Sequence, residues 1–143
     1  LNKIGEQIGK ISGVHAMTDV TGFGLLGHLI EMAEGSGLSA NLGYAAVPII
    51  PIAKELAVQR IVPDATYRNW NSCGSKTDFA PGVNVMEAFN ILPDPQTNGG
   101  LLIAVAPEAA EELKALLIQE GYSEFLQPIG MMTTKVEKVV MVA

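Results

Sequence analysis

The stretch His15-Ala16-Met17-Thr18-Asp19-Val20-Thr21-Gly22-Phe23-Gly24-Leu25-Leu26-Gly27-His28-Leu29 changes its periodicity once, and that change sets the fold. Residues 14–20 read as a strand that ends at Thr21-Gly22. From about residue 22 to 34, Leu25, Leu26, Leu29, Ile30 and Ala33 recur at helical spacing, and Gly35-Ser36-Gly37 ends the helix. A strand therefore hands over to a helix through a glycine-rich turn. His28 and Glu31 fall on the polar side of that helix, where a solvated i, i+3 pair is expected.

Upstream, Ile4, Ile8 and Ile11 give a helical pattern that opens at Leu1 with no initiator Met, so a piece of a longer protein is expected. Downstream, residues 38–42 read as a short strand, and Pro51 opens a helix to about Arg60. Residues 63–84 are dense in Pro, Gly, Asn, Asp and Ser, which predicts a long irregular connection with Trp70 as its anchor. A short helix over 86–91 precedes Pro93-Asp94-Pro95. Residues 101–105 form a continuous apolar strand, and Pro107 starts a helix whose stripe is Ala109, Leu113, Leu116 and Leu117, ended by Gly121. Residues 126–131 and 136–142 read as two closing strands, with Met131-Met132 as core filling. These last two lie too close for a crossover helix, so an α+β fold with a mixed, largely antiparallel sheet packed with helices is expected, not a doubly wound parallel one.

Composition narrows the function. Nearly half the chain is apolar (48%) and 17% is charged, which excludes a disordered tail or a coiled coil. No apolar run reaches the roughly 18 residues of a membrane span. The net charge is −6 with no basic cluster, the wrong sign for a nucleic-acid binder. One cysteine excludes an internal disulfide framework. No signal peptide is visible, so a soluble, cytoplasmic domain is expected.

Two stretches can carry chemistry. Gly22, Gly24 and Gly27 spell G-x-G-x-x-G, but a dinucleotide site needs an acidic residue about 20 positions on, and residues 39–54 contain none. A strand ending in Asp19 before a glycine-rich helix entry can instead hold Mg²⁺ that bridges phosphate oxygens, beside backbone amides that favour anions. Alternatively, Asp19 and Thr21 cap the helix. Gln96-Thr97-Asn98-Gly99-Gly100 is the second stretch; its amides could face a ligand, although a turn feeding the next strand fits the composition better. Gly74-Ser75-Lys76-Thr77 lacks the glycines of a P-loop. Cys73 has no nearby His, and His15 fits an edge or core position.

Residues 15–29, together with Leu92-Pro93-Asp94-Pro95-Gln96-Thr97-Asn98-Gly99-Gly100-Leu101-Leu102, closely resemble the selenophosphate synthetase family of the aminoimidazole ribonucleotide synthetase superfamily. Leu1-Asn2-Lys3-Ile4-Gly5 and Arg68-Asn69 fit the same family in order, so the resemblance spans essentially the whole chain. It implies the C-terminal domain of an enzyme that converts ATP, selenide and water to selenophosphate, phosphate and AMP, and an α+β, ferredoxin-like-related fold for residues 1–143 as one domain. Asp19 matches the family's C-terminal Mg²⁺-binding Asp. Thr21, Gly22 and Gly24, with Thr97, Gly99 and Gly100, are the expected ATP-contacting positions. Asn98 stands where the family usually has Ser.

The resemblance also places the reactive Cys or selenocysteine, its Lys, further metal-binding aspartates and the dimer contacts in an N-terminal domain. No catalytic residue is therefore expected in this chain, and Cys73 does not inherit the nucleophile's role. The alternatives are a non-catalytic binding module of the same fold and another kinase of the superfamily.

Overall fold

The computed structural model describes residues 2–143; Leu1, where the sequence places the start of the first helix, lies outside the described residues. A 3₁₀ turn (Asn2–Ile4) leads into α1 (Gly5–Ile8), followed by β1 (Val14–Asp19) and α2 (Gly24–Gly35). Next come β2 (Leu38–Leu42), α3 (Pro51–Val58), α4 (Asp64–Cys73) and β3 (Thr77–Phe79). The chain closes with α5 (Val85–Ile91), β4 (Leu101–Val105), α6 (Ala110–Gln119), β5 (Gly130–Thr134) and β6 (Val140–Val142).

The strands form two sheets. β1 and β4 make an antiparallel ribbon, and a second sheet has the order β3-β6-β2-β5. In that sheet β2 pairs antiparallel with β5, while β6 runs parallel to both β2 and β3. The α+β architecture with mixed pairing is as expected, with the strands divided between two sheets.

The β1–β4 ribbon separates two cores, which explains why β4 reads as continuously apolar. Leu102 faces α2 and the larger sheet, in a core with Leu26, Leu29, Ile30, Ala40, Leu42, Leu92, Val140 and Val142. Leu101, Ile103 and Val105 face the other way, against Ile4, Ile8, Ile11, Ala109 and Leu113. The ribbon is thus clamped on both faces, and its ends are firm platforms for the loops that leave them.

Several expectations fail here. Residues 63–84 are not an irregular connection: they contain α4, a 3₁₀ turn and β3. The helical period is there, but it is carried by Thr66, Trp70 and Cys73 at i, i+4, i+7 and not by aliphatic residues. Trp70 belongs to that helix, stacked on Phe79 and edge-on to Phe89. β5 begins four residues later than expected; Pro128 has no N–H to give a sheet, and pairing starts beyond it. β6 keeps only three residues, because Val136 and Lys138 instead bond the buried Ser39 hydroxyl. Met132 joins the core, while Met131 on the edge strand is exposed.

Candidate functional site

The two glycine-bearing stretches, more than seventy residues apart in sequence, form one structure. Beyond the last paired residues of β1 and β4, Asp19 and Leu101, the ladder continues. Val20 N–H donates to the Gly100 carbonyl at 2.9 Å, and Gly99 N–H donates to the Val20 carbonyl at 2.8 Å. The Thr21 carbonyl accepts both Gly24 N–H and Gln96 N–H at 3.0 Å, and Leu26 N–H donates to the Leu92 carbonyl at 2.9 Å. The candidate residues Asp19, Thr21, Gly22, Gly24, Thr97, Gly99 and Gly100 therefore share one end of the ribbon.

The glycines are not equivalent. Gly24 has φ +69°, and a Cβ there would stand 2.6 Å from the Pro93 carbonyl carbon, so both conformation and packing demand glycine. A Cβ on Gly99 would press on Val20 at 2.9 Å. Gly22 differs: it is exposed, its φ is not left-handed, and a Cβ would meet nothing within 4 Å. Gly100 N–H is held by the Asn98 side-chain oxygen at 3.1 Å, so Asn98 performs a turn role that a Ser hydroxyl could also fill.

Asp19 is not a helix cap. The N-cap of α2 is Phe23, with no side-chain cap bond, and the first amides go to the Thr21 and Leu92 carbonyls. The Asp19 carboxylate is exposed at the strand end and, among the described residues, has no hydrogen-bond or ion-pair partner. It fits a hard cation such as Mg²⁺, which takes one or two protein carboxylates and completes its shell with phosphate oxygens and waters. Among the described residues no three His, Cys, Asp or Glu side chains gather into a metal-binding group.

His28 corrects the expectation of a solvated pair. It is only 7% exposed, with Nδ1 3.3 Å from Glu31 and Nε2 3.2 Å from the Thr21 hydroxyl. The imidazole links the Glu31 carboxylate to the Thr21 hydroxyl, one ring nitrogen to each. The Thr21 hydroxyl is thus turned inward, leaving its backbone to the loop. His15, by contrast, is exposed on β1.

Two further polar groups brace the second stretch. Asp94 accepts the buried Thr66 hydroxyl at 3.1 Å and the Gln96 amide at 3.0 Å. Burial pushes its carboxyl above the usual range, and these two hydrogen bonds oppose the shift. Asn69 of α4 donates to Gly22 O and Pro93 O. Residue type alone does not reveal these contacts, because they depend on α4 lying over both loops.

Beside the site, a cleft of about 400 Å³ opens between α2 and α4, with Phe23 (57% exposed), Arg68 and Lys76 on its walls. Cys73 lies beneath, buried, where burial pushes its thiol up and the Lys76 charge opposes this. A larger groove, about 760 Å³, lies between α1 and α6 and is lined by none of the candidate residues. No helix among the described residues is long and apolar enough to cross a membrane.

An α+β domain whose two glycine loops converge beside an unpaired strand-end carboxylate defines a class. Residues 3–143 match the family described as AIR synthase related protein, C-terminal domain, and the chain belongs to that family. Its sequence is 49% identical to the selenide, water dikinase of Pseudomonas putida over 130 residues, 91% of this chain and 36% of that protein. It is 47% identical to the enzyme of the same name from Aeromonas hydrophila over 135 residues, 94% of this chain and 37% of that protein. The chain thus spans about a third of the length of these curated relatives. Among solved structures, the hydrogenase maturation protein HypE shares the fold, with a TM-score of 0.56 at 20% identity over 98% of this chain and 37% of that one. HypE solved in complex with ATP gives a TM-score of 0.54 at 21% identity, over 94% and 34%.

Proposed function

We propose that this chain is the C-terminal domain of an ATP-dependent selenophosphate synthetase, forming selenophosphate, phosphate and AMP from ATP, selenide and water in the cytoplasm. The observation that carries the reading is the Asp19 carboxylate, exposed and unpartnered beside two glycine loops, and not consumed as a helix cap. The names of the relatives supply the reaction.

In this reading Asp19 holds Mg²⁺ and the exposed backbone of Gly22 and Thr97 faces the phosphates, with Gly100 holding the turn beside them. Gly24 and Gly99 set the shape of the loops, and the inward-facing Thr21 hydroxyl fixes its turn. Mg²⁺ bound there supplies positive charge to polyphosphate oxygens, which a chain of net charge −6 otherwise repels. Phosphoryl transfer asks chiefly for positioning and charge neutralisation, and this ribbon end offers both. The nucleophile, its lysine and the remaining metal ligands come from an N-terminal domain of the same polypeptide, which also forms the homodimer. ATP and selenide are the small-molecule partners, and no nucleic acid is involved.

Phosphorus NMR tests this. The full-length protein should convert ATP to AMP and selenophosphate only when selenide is present, and the 143-residue chain alone should produce none. A full-length protein without selenide-dependent ATP cleavage would overturn the reading; selenophosphate made by the isolated chain would overturn the assignment of the nucleophile to another domain.

A further inference from the structure

We infer that Asn69 is a positioning residue of this site: its side-chain amide locks the Gly22 peptide, and with it the loop that follows Asp19, to the opposite loop at Pro93. The inference rests on the proposed phosphoryl-transfer reading and goes beyond it, since Asn69 has no place among the ligand-facing residues.

Gly22 lies between β1 and α2 without steric support. No left-handed φ, and no neighbour within 4 Å of a Cβ, holds this residue in place. Glycine rotates freely unless something restrains it, and in the loop joining β1 to α2 a rotated peptide would redirect the groups on either side. Steric packing does not supply the restraint; a hydrogen bond does. Asn69 Nδ2 donates to the Gly22 carbonyl at 2.8 Å and, with its other proton, to the Pro93 carbonyl at 2.9 Å. A primary amide has two donors, and here they go to carbonyls from the two loops.

The brace sits on a helix that does not move independently of those loops. α4 packs along α2, and the buried Thr66, one turn before Asn69, donates to Asp94 next to Pro93. Pro93 is itself buried, and Leu92 before it receives Leu26 N–H. The Pro93 end of the brace is therefore rigid, and the Gly22 end is the one it holds. Aspartate at position 69 would face two carbonyls with acceptors only, which reverses the interaction without changing side-chain size.

The test uses the full-length protein and three readouts: kcat and KM for selenide-dependent ATP cleavage, amide exchange at Gly24 and Gln96, and the denaturation midpoint. Asn69→Asp should lower kcat about tenfold or more with KM for ATP little changed, the signature of lost positioning. Exchange at Gly24 and Gln96, both bonded to the Thr21 carbonyl, should speed up by a similar factor. Asn69→Ala, which removes the donors without adding repulsion, should show the same pattern if the aspartate variant does not fold. Ser39→Ala, far from the site in β2, controls for stability: it should lower the midpoint and leave kcat and both exchange rates unchanged. A kcat loss in Asn69→Ala no larger than that of Ser39→Ala, or unchanged exchange at Gly24 and Gln96, would overturn the inference. Normal turnover in the Asn69 variants while Asp19→Asn is inactive overturns the inference alone; full activity in Asp19→Asn overturns the site reading with it.

Discussion

The Val20 carbonyl accepts Gly99 N–H at 2.8 Å, so the first glycine loop and the second are consecutive rungs of one ladder. This relationship turns two separate stretches of sequence into a single platform. Residues 19–24 leave the end of β1, residues 93–100 arrive at the start of β4, and the ribbon between two cores holds both ends still. A ligand placed at this platform would meet both loops at once.

The two glycines of the first loop should respond oppositely to a methyl group. Gly24→Ala meets the Pro93 backbone and a left-handed φ, and should cost about 2–4 kcal/mol of stability. Gly22→Ala meets open space, so the stability change should stay within about 1 kcal/mol. Urea denaturation of the 143-residue chain checks both. A Gly22→Ala variant that keeps its stability but loses ATP turnover in the full-length protein would mark the place where a ligand approaches.

His28 is expected to act through its two partners. His28→Leu fills similar space but leaves the Thr21 hydroxyl and Glu31 carboxylate without the imidazole, so stability should fall by about 1–3 kcal/mol. Equal denaturation midpoints for His28→Leu and wild type would show that burial of the ring, not its hydrogen bonds, is what matters.

Acid stability should depend on Glu87. The Lys54 hydrogen bond holds its carboxyl below the usual glutamate range; burial opposes the shift and the Tyr44 hydroxyl adds to it. A carboxyl lowered in the folded state contributes stability that is present above the unfolded value, about 4.3, and is lost as pH falls through the folded value. Denaturation midpoints measured across the acid range should therefore fall more steeply below about pH 4.3 for wild type than for Glu87→Gln. Parallel curves would contradict the assignment.

Much of this architecture is legible in the sequence, because the aliphatic periodicity of α2, β2, β4 and α6 matches the faces they bury. The ribbon-end residues are legible too: glycines and an aspartate at element boundaries have few roles to choose from. What escapes is α4. Its inward positions are Thr66, Trp70 and Cys73, and the surrounding Asn and Ser residues favour turns when read locally, so only packing against α2 and Phe79 reveals the helix. Missing that helix also hides the brace from Asn69 and the Thr66–Asp94 link. His28 is misread for a related reason, since its position on the polar face gives no sign that Thr21 folds back onto it.

If Asp19 binds Mg²⁺ in the service of phosphoryl transfer, ATP turnover measured against Mg²⁺ concentration must change in full-length Asp19→Asn. Asparagine keeps the size and removes the charge, so stability should stay within about 1 kcal/mol, as expected for an exposed side chain without partners. Turnover should nonetheless fall at least about 100-fold, the scale of several kcal/mol of lost charge stabilisation, with half-saturation moved to higher Mg²⁺. Near-wild-type turnover by Asp19→Asn at low Mg²⁺ would show that Asp19 is not a metal ligand.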